Sequence, residues 1–155
     1  MTEITLATSA KQIEEARSLF REYEAWLGMS LCFQSFEEEV AGLPGKYALP
    51  IGRLYLAYVD GEPAGCIALR KLEPGVCEMK RLFLRDSARG RGIGVRLIEQ
   101  VIADAQEIGY AKMRLDTYPP KMGKAVSLYE AHGFYEIPPY YDNPHAGVLY
   151  MEKTL

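Results

Sequence analysis

At 155 residues, 48% hydrophobic and 25% charged, the chain has the composition of one globular domain long enough to bury a core, not of a disordered or low-complexity segment. A net charge of −3 argues against nucleic acid as the main partner, and no apolar stretch approaches the ~20 residues of a membrane span, so no membrane partner is expected. Cys32, Cys66 and Cys77 are odd in number and lack C-x-x-C spacing, which reads as reduced thiols, and two histidines, His132 and His145, are too sparse for a metal cluster.

In chain order, residues 1–5 lack the basic start and apolar stretch of a secretion signal, so cytoplasmic is the default location. Residues 4–6 read as a first strand. Ile13, Ala16, Leu19, Phe20, Tyr23, Trp26 and Leu27 recur at helical spacing, and Gly28 ends that helix. Phe36–Ala41 reads as a short acidic helix, followed by a Leu43-Pro44-Gly45 turn. Arg53–Val59 and residues 63–72 read as a hairpin around Asp60-Gly61, a strong two-residue turn signal. A reversal at Pro74-Gly75 leads into a strand over residues 77–85. After a glycine-rich run, Leu97, Ile98, Val101, Ile102, Ala105 and Ile108 mark a long helix that ends at Gly109. A strand over residues 111–116, a proline-rich loop, a short helix over residues 125–132 closed by Gly133, and strands over residues 134–137 and 148–153 complete the chain. With one β-α-β unit in the middle, this order predicts an α/β fold: a mixed sheet flanked by helices.

The run Arg89-Gly90-Arg91-Gly92-Ile93-Gly94 joins the strand over residues 77–85 to the long helix. Glycines there remove side chains that would block approach to the backbone, and the unpaired N–H groups of a helix's first turn suit a phosphate. Residues 80–96 carry six basic side chains (Lys80, Arg81, Arg85, Arg89, Arg91, Arg96) against Asp86, a local +5, so the rest of the −3 chain sums to −8. This combination reads as a pyrophosphate site. A P-loop is excluded, because no Lys-Ser or Lys-Thr pair follows the glycines. The dinucleotide fingerprint G-x-G-x-x-G is matched only in part: Asp116 mimics its acid, but Val95 stands where the third glycine belongs. A nicotinamide-dependent oxidoreductase therefore stays as an alternative, as does a module that binds acyl-CoA without turnover.

The run does match, without a gap, the R-G-x-G-x-G pattern of the GCN5-related N-acetyltransferases (GNAT), and the strand, turn and helix resemble that family's acetyl-CoA-binding motif. Downstream, Ala125-Val126-Ser127-Leu128-Tyr129-Glu130-Ala131-His132-Gly133-Phe134 resembles its second signature, A-x-x-L-Y-x-x-x-G-F, and the chain end from Tyr140 resembles a small bacterial branch. Together the two signatures cover roughly half the chain. The resemblance implies a mostly antiparallel sheet in a single N-acetyltransferase domain, acetyl-CoA as cosubstrate, and no metal. It further implies that Leu82, Phe83 and Leu84 hold pantetheine through backbone groups, with an N–H near Leu82 or Phe83 facing the oxyanion, and that Arg89, Gly90, Arg91, Gly92, Ile93 and Gly94 bind the pyrophosphate. Many members carry Asn where this chain has Met122, so no role passes to Met122.

Direct attack of an amine on a thioester needs a proton removed from the amine and help for the departing thiolate. Tyr129 is the expected general acid, against the alternative that it fills the core four residues after Ala125. Glu78 is the expected base, placed on the same strand face as Leu82; its alternative is a cross-strand ion pair with an arginine, and Asp116 is its rival, with Tyr140 or Tyr141 contributing. Glu22, Glu24, Glu37, Glu38 and Glu39 read mostly as a solvated helix face, though they would attract a cationic amine. The lack of an appended recognition domain favours a small-molecule amine over a protein lysine. Residues 135–141 and the last strand offer an edge for a homodimer.

Overall fold

The computed structural model describes residues 1–31 and 34–155, so Cys32 lies outside the described residues; Cys66 and Cys77 are free and buried. Strand β1 (Thr2–Leu6) precedes helices α1 (Ala10–Leu27) and α2 (Phe36–Ala41), then come β2 (Arg53–Val59), β3 (Glu62–Glu73) and β4 (Val76–Leu84). Helix α3 (Ile93–Ile108), β5 (Lys112–Thr117), helix α4 (Pro119–Ala131), β6 (Tyr135–Ile137) and β7 (Leu149–Thr154) follow. Among the described residues the strands form a seven-stranded sheet in the order β1-β2-β3-β4-β5-β7-β6, parallel only at β4–β5. The mixed, mostly antiparallel sheet expected from the sequence is present. Strand β7 lies between β5 and β6, so of the two candidate dimer edges only β6 is open.

Each element has a local cause. A capping box starts α1: the Gln12 N–H donates to Ser9 Oγ (3.2 Å) while the Ser9 N–H donates to Gln12 Oε1 (3.0 Å), and Gly28 closes the helix at φ +75°. Residues 64–69 of β3 are buried without a break because both sheet faces are covered. Leu54, Leu56, Cys66, Ala68 and Phe83 join Leu19, Phe20 and Phe36 in the core beneath α1 and α2. Ile67, Leu69, Cys77, Met79, Met113 and Leu115 join Leu97, Ile98 and Val101 beneath α3. Each such Leu, Ile or Phe contributes about 1.5–3 kcal/mol by burial. Helix α4 starts earlier than its apolar spacing predicts: Pro119 opens it, as proline's fixed φ permits at a first turn, and Met122 breaks it at φ −122°, ψ 33°. Among the described residues no helix is long and apolar enough to cross a membrane.

Two irregularities create the site. The β4–β5 ladder runs only from Val76–Lys112 to Glu78–Arg114; beyond it the strands part, while β5 continues against β7 to Leu149. In β4, Lys80 pairs with Ala68 and Phe83 with Cys66, so β4 takes three steps to the two of β3. The extra residue is Arg81 at φ +61°, a left-handed conformation that is costly for a side chain of this kind. The Cys66 thiol donates to the Arg81 carbonyl at 3.3 Å and helps fix the bulge. Past it, Gly65 admits the end of β4: a Cβ there would stand 2.4 Å from Leu84 Cδ2.

The bulge overturns one expectation. Glu78 and Leu82 do not share a face, because one inserted residue reverses the alternation of the strand. Glu78 opens toward the α2 side, whereas Leu82 packs against the core beneath α3.

Candidate active site

The glycine run takes the shape its residue types allow. Gly90 and Gly92 sit at φ +77° and +75°, and α3 begins at Ile93 with no side-chain cap among the described residues. The basic charge of this region is less concentrated than the sequence implies. Arg81 makes a two-pronged pair with Glu39 (2.8 Å each), Arg85 pairs with Glu22 (2.5 Å), and Lys80 Nζ donates to Gln34 Oε1 (3.0 Å). Arg89 stays exposed but is held locally: its Nε donates to the Leu84 carbonyl (3.0 Å), Nη1 pairs with Asp86 (2.7 Å), and its guanidinium lies 4.8 Å over the Trp26 ring. Arg91 and Arg96 are the exposed cations of the run with no salt bridge among the described residues. Arg89 is exposed as well, and its local contacts hold it against the turn.

Where β4 and β5 part lies a small cavity of about 30 Å³, lined by Tyr23, Arg81, Asp116, Thr117, Tyr118, Met122 and Asn143 among others. Tyr129, 4% exposed, packs edge-on against Phe134 (5.7 Å) in the core beneath α3. Burial raises its phenol, with Tyr23 and Asp116 adding to the effect, so it stays protonated at neutral pH. Among the described residues its hydroxyl has no hydrogen-bond partner. Core filling and a free phenol are thus both properties of Tyr129.

On the α2 side a larger cavity of about 510 Å³ is walled by Gln34, Glu38, Lys46, Tyr47, Arg70, Glu78, Lys80, Tyr140 and Tyr141. Glu78, 1% exposed, lies at its base. Arg70, its direct partner on β3, donates Nε to Glu78 Oε1 (2.8 Å), and the Tyr140 hydroxyl donates to Oε2 (2.6 Å). The cross-strand arginine pair is therefore present, and it sits inside the cavity. Burial and then the Glu78 charge raise the Tyr140 phenol, which keeps it a donor. Burial lowers the Lys80 ammonium, helped by Arg81, despite Glu78 at 3.8 Å.

A polar chain links the two cavities. Lys80 donates to Gln34, Gln34 Nε2 donates to the Tyr141 hydroxyl (3.0 Å), and that hydroxyl donates to Asp116 Oδ2. Asn143 Nδ2 also donates to Tyr141 (3.2 Å). Tyr140, Tyr141 and Tyr150 stack edge-on at 5.4 Å from one another and hold these hydroxyls in place. Glu78 and Asp116 are thus gathered to the two ends of one network, while Tyr129 and the glycine run lie outside it. Gln34, Arg70 and Asn143 carry no pattern that singles them out in the sequence, and Lys80 enters there only as part of the basic segment. The solvated-face reading of the acidic helices fails for Glu39, which Arg81 draws inward, and for Glu24, which accepts from the Leu31 N–H (3.0 Å).

The sheet parts between two parallel strands beside an uncapped, glycine-opened helix, and the resemblance drawn from the sequence implies that this strand, turn and helix bind acetyl-CoA. Comparison with known proteins agrees. The model of the acetyltransferase (GNAT) family matches residues 13–134. An uncharacterised N-acetyltransferase of Schizosaccharomyces pombe is 38% identical over 94% of this chain and 90% of its own, and one of Dictyostelium discoideum is 31% identical over 98% and 99%. The chain belongs to the GNAT family and is an N-acetyltransferase. Its relatives include eukaryotic proteins, so the likeness extends beyond bacteria. Among solved structures, a GNAT-family acetyltransferase of Staphylococcus aureus superposes with a TM-score of 0.81 at 19% identity, covering 99% of both chains. PaiA N-acetyltransferase from Thermoplasma acidophilum, in complex with coenzyme A, superposes with a TM-score of 0.74 at 20% identity, covering 100% of this chain and 99% of that one.

Proposed function

We propose that this chain, as a single cytoplasmic domain, transfers the acetyl group of acetyl-CoA directly to the primary amine of a small molecule. The observation that carries this reading is the 510 Å³ cavity, a size suited to a small molecule, which shares Gln34 with the small cavity where β4 and β5 part. The first-turn N–H groups from Gly92 onward, with Arg91, bind the pyrophosphate, and Arg89 together with Gly90, Ile93 and Gly94 sets the shape of that turn. Leu82, Phe83 and Leu84 have no β5 neighbour in register, which leaves backbone groups on that side for pantetheine and one N–H for the oxyanion. The amine enters through the larger cavity; Glu78 takes its proton, directly or through water. The amine nitrogen adds to the thioester carbonyl to give the tetrahedral oxyanion; as this collapses the C–S bond breaks, and Tyr129 gives its proton to the leaving sulfur.

Thermal unfolding and thiol release test this together. At a hundredfold excess over Kd, acetyl-CoA and CoA are each expected to raise Tm by roughly 5–10 °C, and NADH to leave it unchanged. A shift with NADH alone would overturn the reading. Gly92→Val forces a branched side chain to φ +75° and is expected to weaken CoA binding by about tenfold in calorimetry. Unchanged affinity would detach the turn from the phosphates. Tyr129→Phe is expected to lower kcat by about 10²-fold while CoA affinity stays constant, the lower end for a proton donor because a thiolate leaves readily. Unaltered kcat would remove Tyr129 from the chemistry.

A further inference from the structure

The larger cavity has an electrostatic pattern that says which amines it accepts. Its wall holds Lys46, Arg70 and Lys80 against Glu38, Glu39 and Glu78, and Arg81 stands behind Glu39. Three wall cations thus oppose three wall carboxylates, an even balance in a chain whose net charge is −3. The pairings sharpen the contrast. Both oxygens of Glu39 are taken by Arg81, and both oxygens of Glu78 by Arg70 and Tyr140. Lys80 is spent on Gln34 and Glu78. What remains for a ligand is the exposed Lys46 ammonium, unpaired among the described residues, and the two Nη groups of Arg70, of which only Nε is committed to Glu78. Exposed Glu38 is the one wall carboxylate without a salt bridge among the described residues.

We infer that the acceptor is an amine that also carries a carboxylate, an amino acid or ω-amino acid, with its carboxylate held by Lys46 and the Arg70 fork and its amine directed past Gln34 and Tyr141 toward the gap between β4 and β5. This rests on the acetyl-transfer reading of the same site. A guanidinium with two free N–H groups side by side matches a carboxylate's two oxygens, and an ammonium beside it adds charge without competing for geometry. Polyamines and aminoglycosides meet the opposite situation, a wall that among the described residues offers them one unpaired acid, Glu38, against the unpaired Lys46 and the Arg70 Nη groups. Gln34 lines both cavities, which places the passage for the amine at that residue. Of the helix acids that would favour a cationic amine, Glu39, Glu22 and Glu37 are instead paired with Arg81, Arg85 and Arg21, and Glu24 accepts from the Leu31 N–H.

The test uses matched pairs in the thiol-release assay: L-phenylalanine against phenethylamine, L-leucine against isopentylamine, γ-aminobutyrate against butylamine, with spermidine as the polycation. In at least one pair the carboxylate member is expected to have the higher kcat/KM by about tenfold or more, with spermidine the poorest substrate. Lys46→Glu is expected to bring that ratio toward parity. Equal rates within every pair, or a ratio that Lys46→Glu leaves intact, would overturn the inference while preserving acetyl transfer. If no amine is turned over, calorimetric titration of the same compounds into the CoA-loaded protein decides. Carboxylate-dependent binding lost in Lys46→Glu would keep the ligand class and sink the acetyl-transfer reading; absence of such binding would sink the ligand class.

Discussion

Replacing Arg81 by methionine is expected to lower Tm by roughly 6–12 °C. Arg81 is 5% exposed and carries the bulge of β4; its guanidinium grips both oxygens of Glu39 and lies 5.1 Å over the Phe36 ring and 6.0 Å over Tyr23. Methionine keeps much of the volume but leaves a partly buried carboxylate without its partner. Breaking such a pair costs about 3–5 kcal/mol, and the residual exposure of Glu39 puts the loss near 3. For a domain of this size each kcal/mol is worth about 2–4 °C. The double variant Arg81→Met, Glu39→Gln is expected to recover most of that loss, because removing both charges leaves none stranded. A double variant no more stable than the single one would mean that the rings and the bulge, not the ion pair, depend on Arg81.

Acid unfolding provides a second reading of the same pair. Burial pushes the Glu39 carboxyl upward, but the Arg81 hydrogen bonds and charge outweigh it and hold the carboxyl below its ordinary range. A group depressed in the folded state stabilises above its unfolded pKa, near 4.3 for Glu, and that stability is lost as pH falls through the folded value. Stability of the wild type should therefore fall below about pH 4.3 more steeply than that of the double variant. Parallel acid limbs would remove Glu39 from the acid response.

Glu78→Gln is expected to lower kcat/KM by about 10²–10³-fold and to flatten the acid limb of the pH–rate profile, with CoA affinity unchanged. The amide is the same shape as the carboxylate, so the cavity persists; what disappears is a proton acceptor and the charge facing Arg70 and Lys80. A purely structural role would reduce the rate at all pH values and leave the profile's shape alone. Asp116→Asn is the companion variant. If it flattens the acid limb and Glu78→Gln does not, the proton leaves through Tyr141 to Asp116 at the other end of the network.

Strong periodicities made most of the fold legible. The α1 stripe, the Asp60-Gly61 hairpin and the α3 stripe each combine a regular pattern with a glycine. The hairpin strands fall within a residue of their expected bounds and both helices end where expected, while α1 and α3 begin at Ala10 and Ile93, ahead of the first residues of their stripes, Ile13 and Leu97. The bulge was not legible, because one inserted residue leaves the apolar pattern of β4 almost intact while reversing which face each later side chain takes. The one trace it leaves is a pair of adjacent cations, Lys80-Arg81, in a strand with both faces covered; both point to the α2 side. Counting charge along residues 80–96 failed for a related reason. Position in sequence does not say whether a cation faces solvent or a buried acid, and three of the six were committed inward by acids or amides far away in the chain. Glu78 and Asp116 were visible as acids on neighbouring strands, but the Tyr140–Tyr141 pair that joins them to one network depends on the late loop folding back across the sheet.

That fold-back divides the chain by task. Residues 76–117 form one continuous stretch from β4 through α3 to β5, and it contains the gap, the bulge and the uncapped turn. The larger cavity takes Glu78 and Lys80 from that stretch, but the rest of its wall comes from pieces far apart in sequence: Gln34 to Tyr47, the end of β3, and Tyr140 with Tyr141. Insertions and exchanges in the surrounding loops therefore reshape the acceptor side without disturbing the donor side. A library confined to residues 34–47 and 138–148 would vary the choice of amine on a fixed acetyl-donor platform, which makes this small chain a practical starting point for changing specificity.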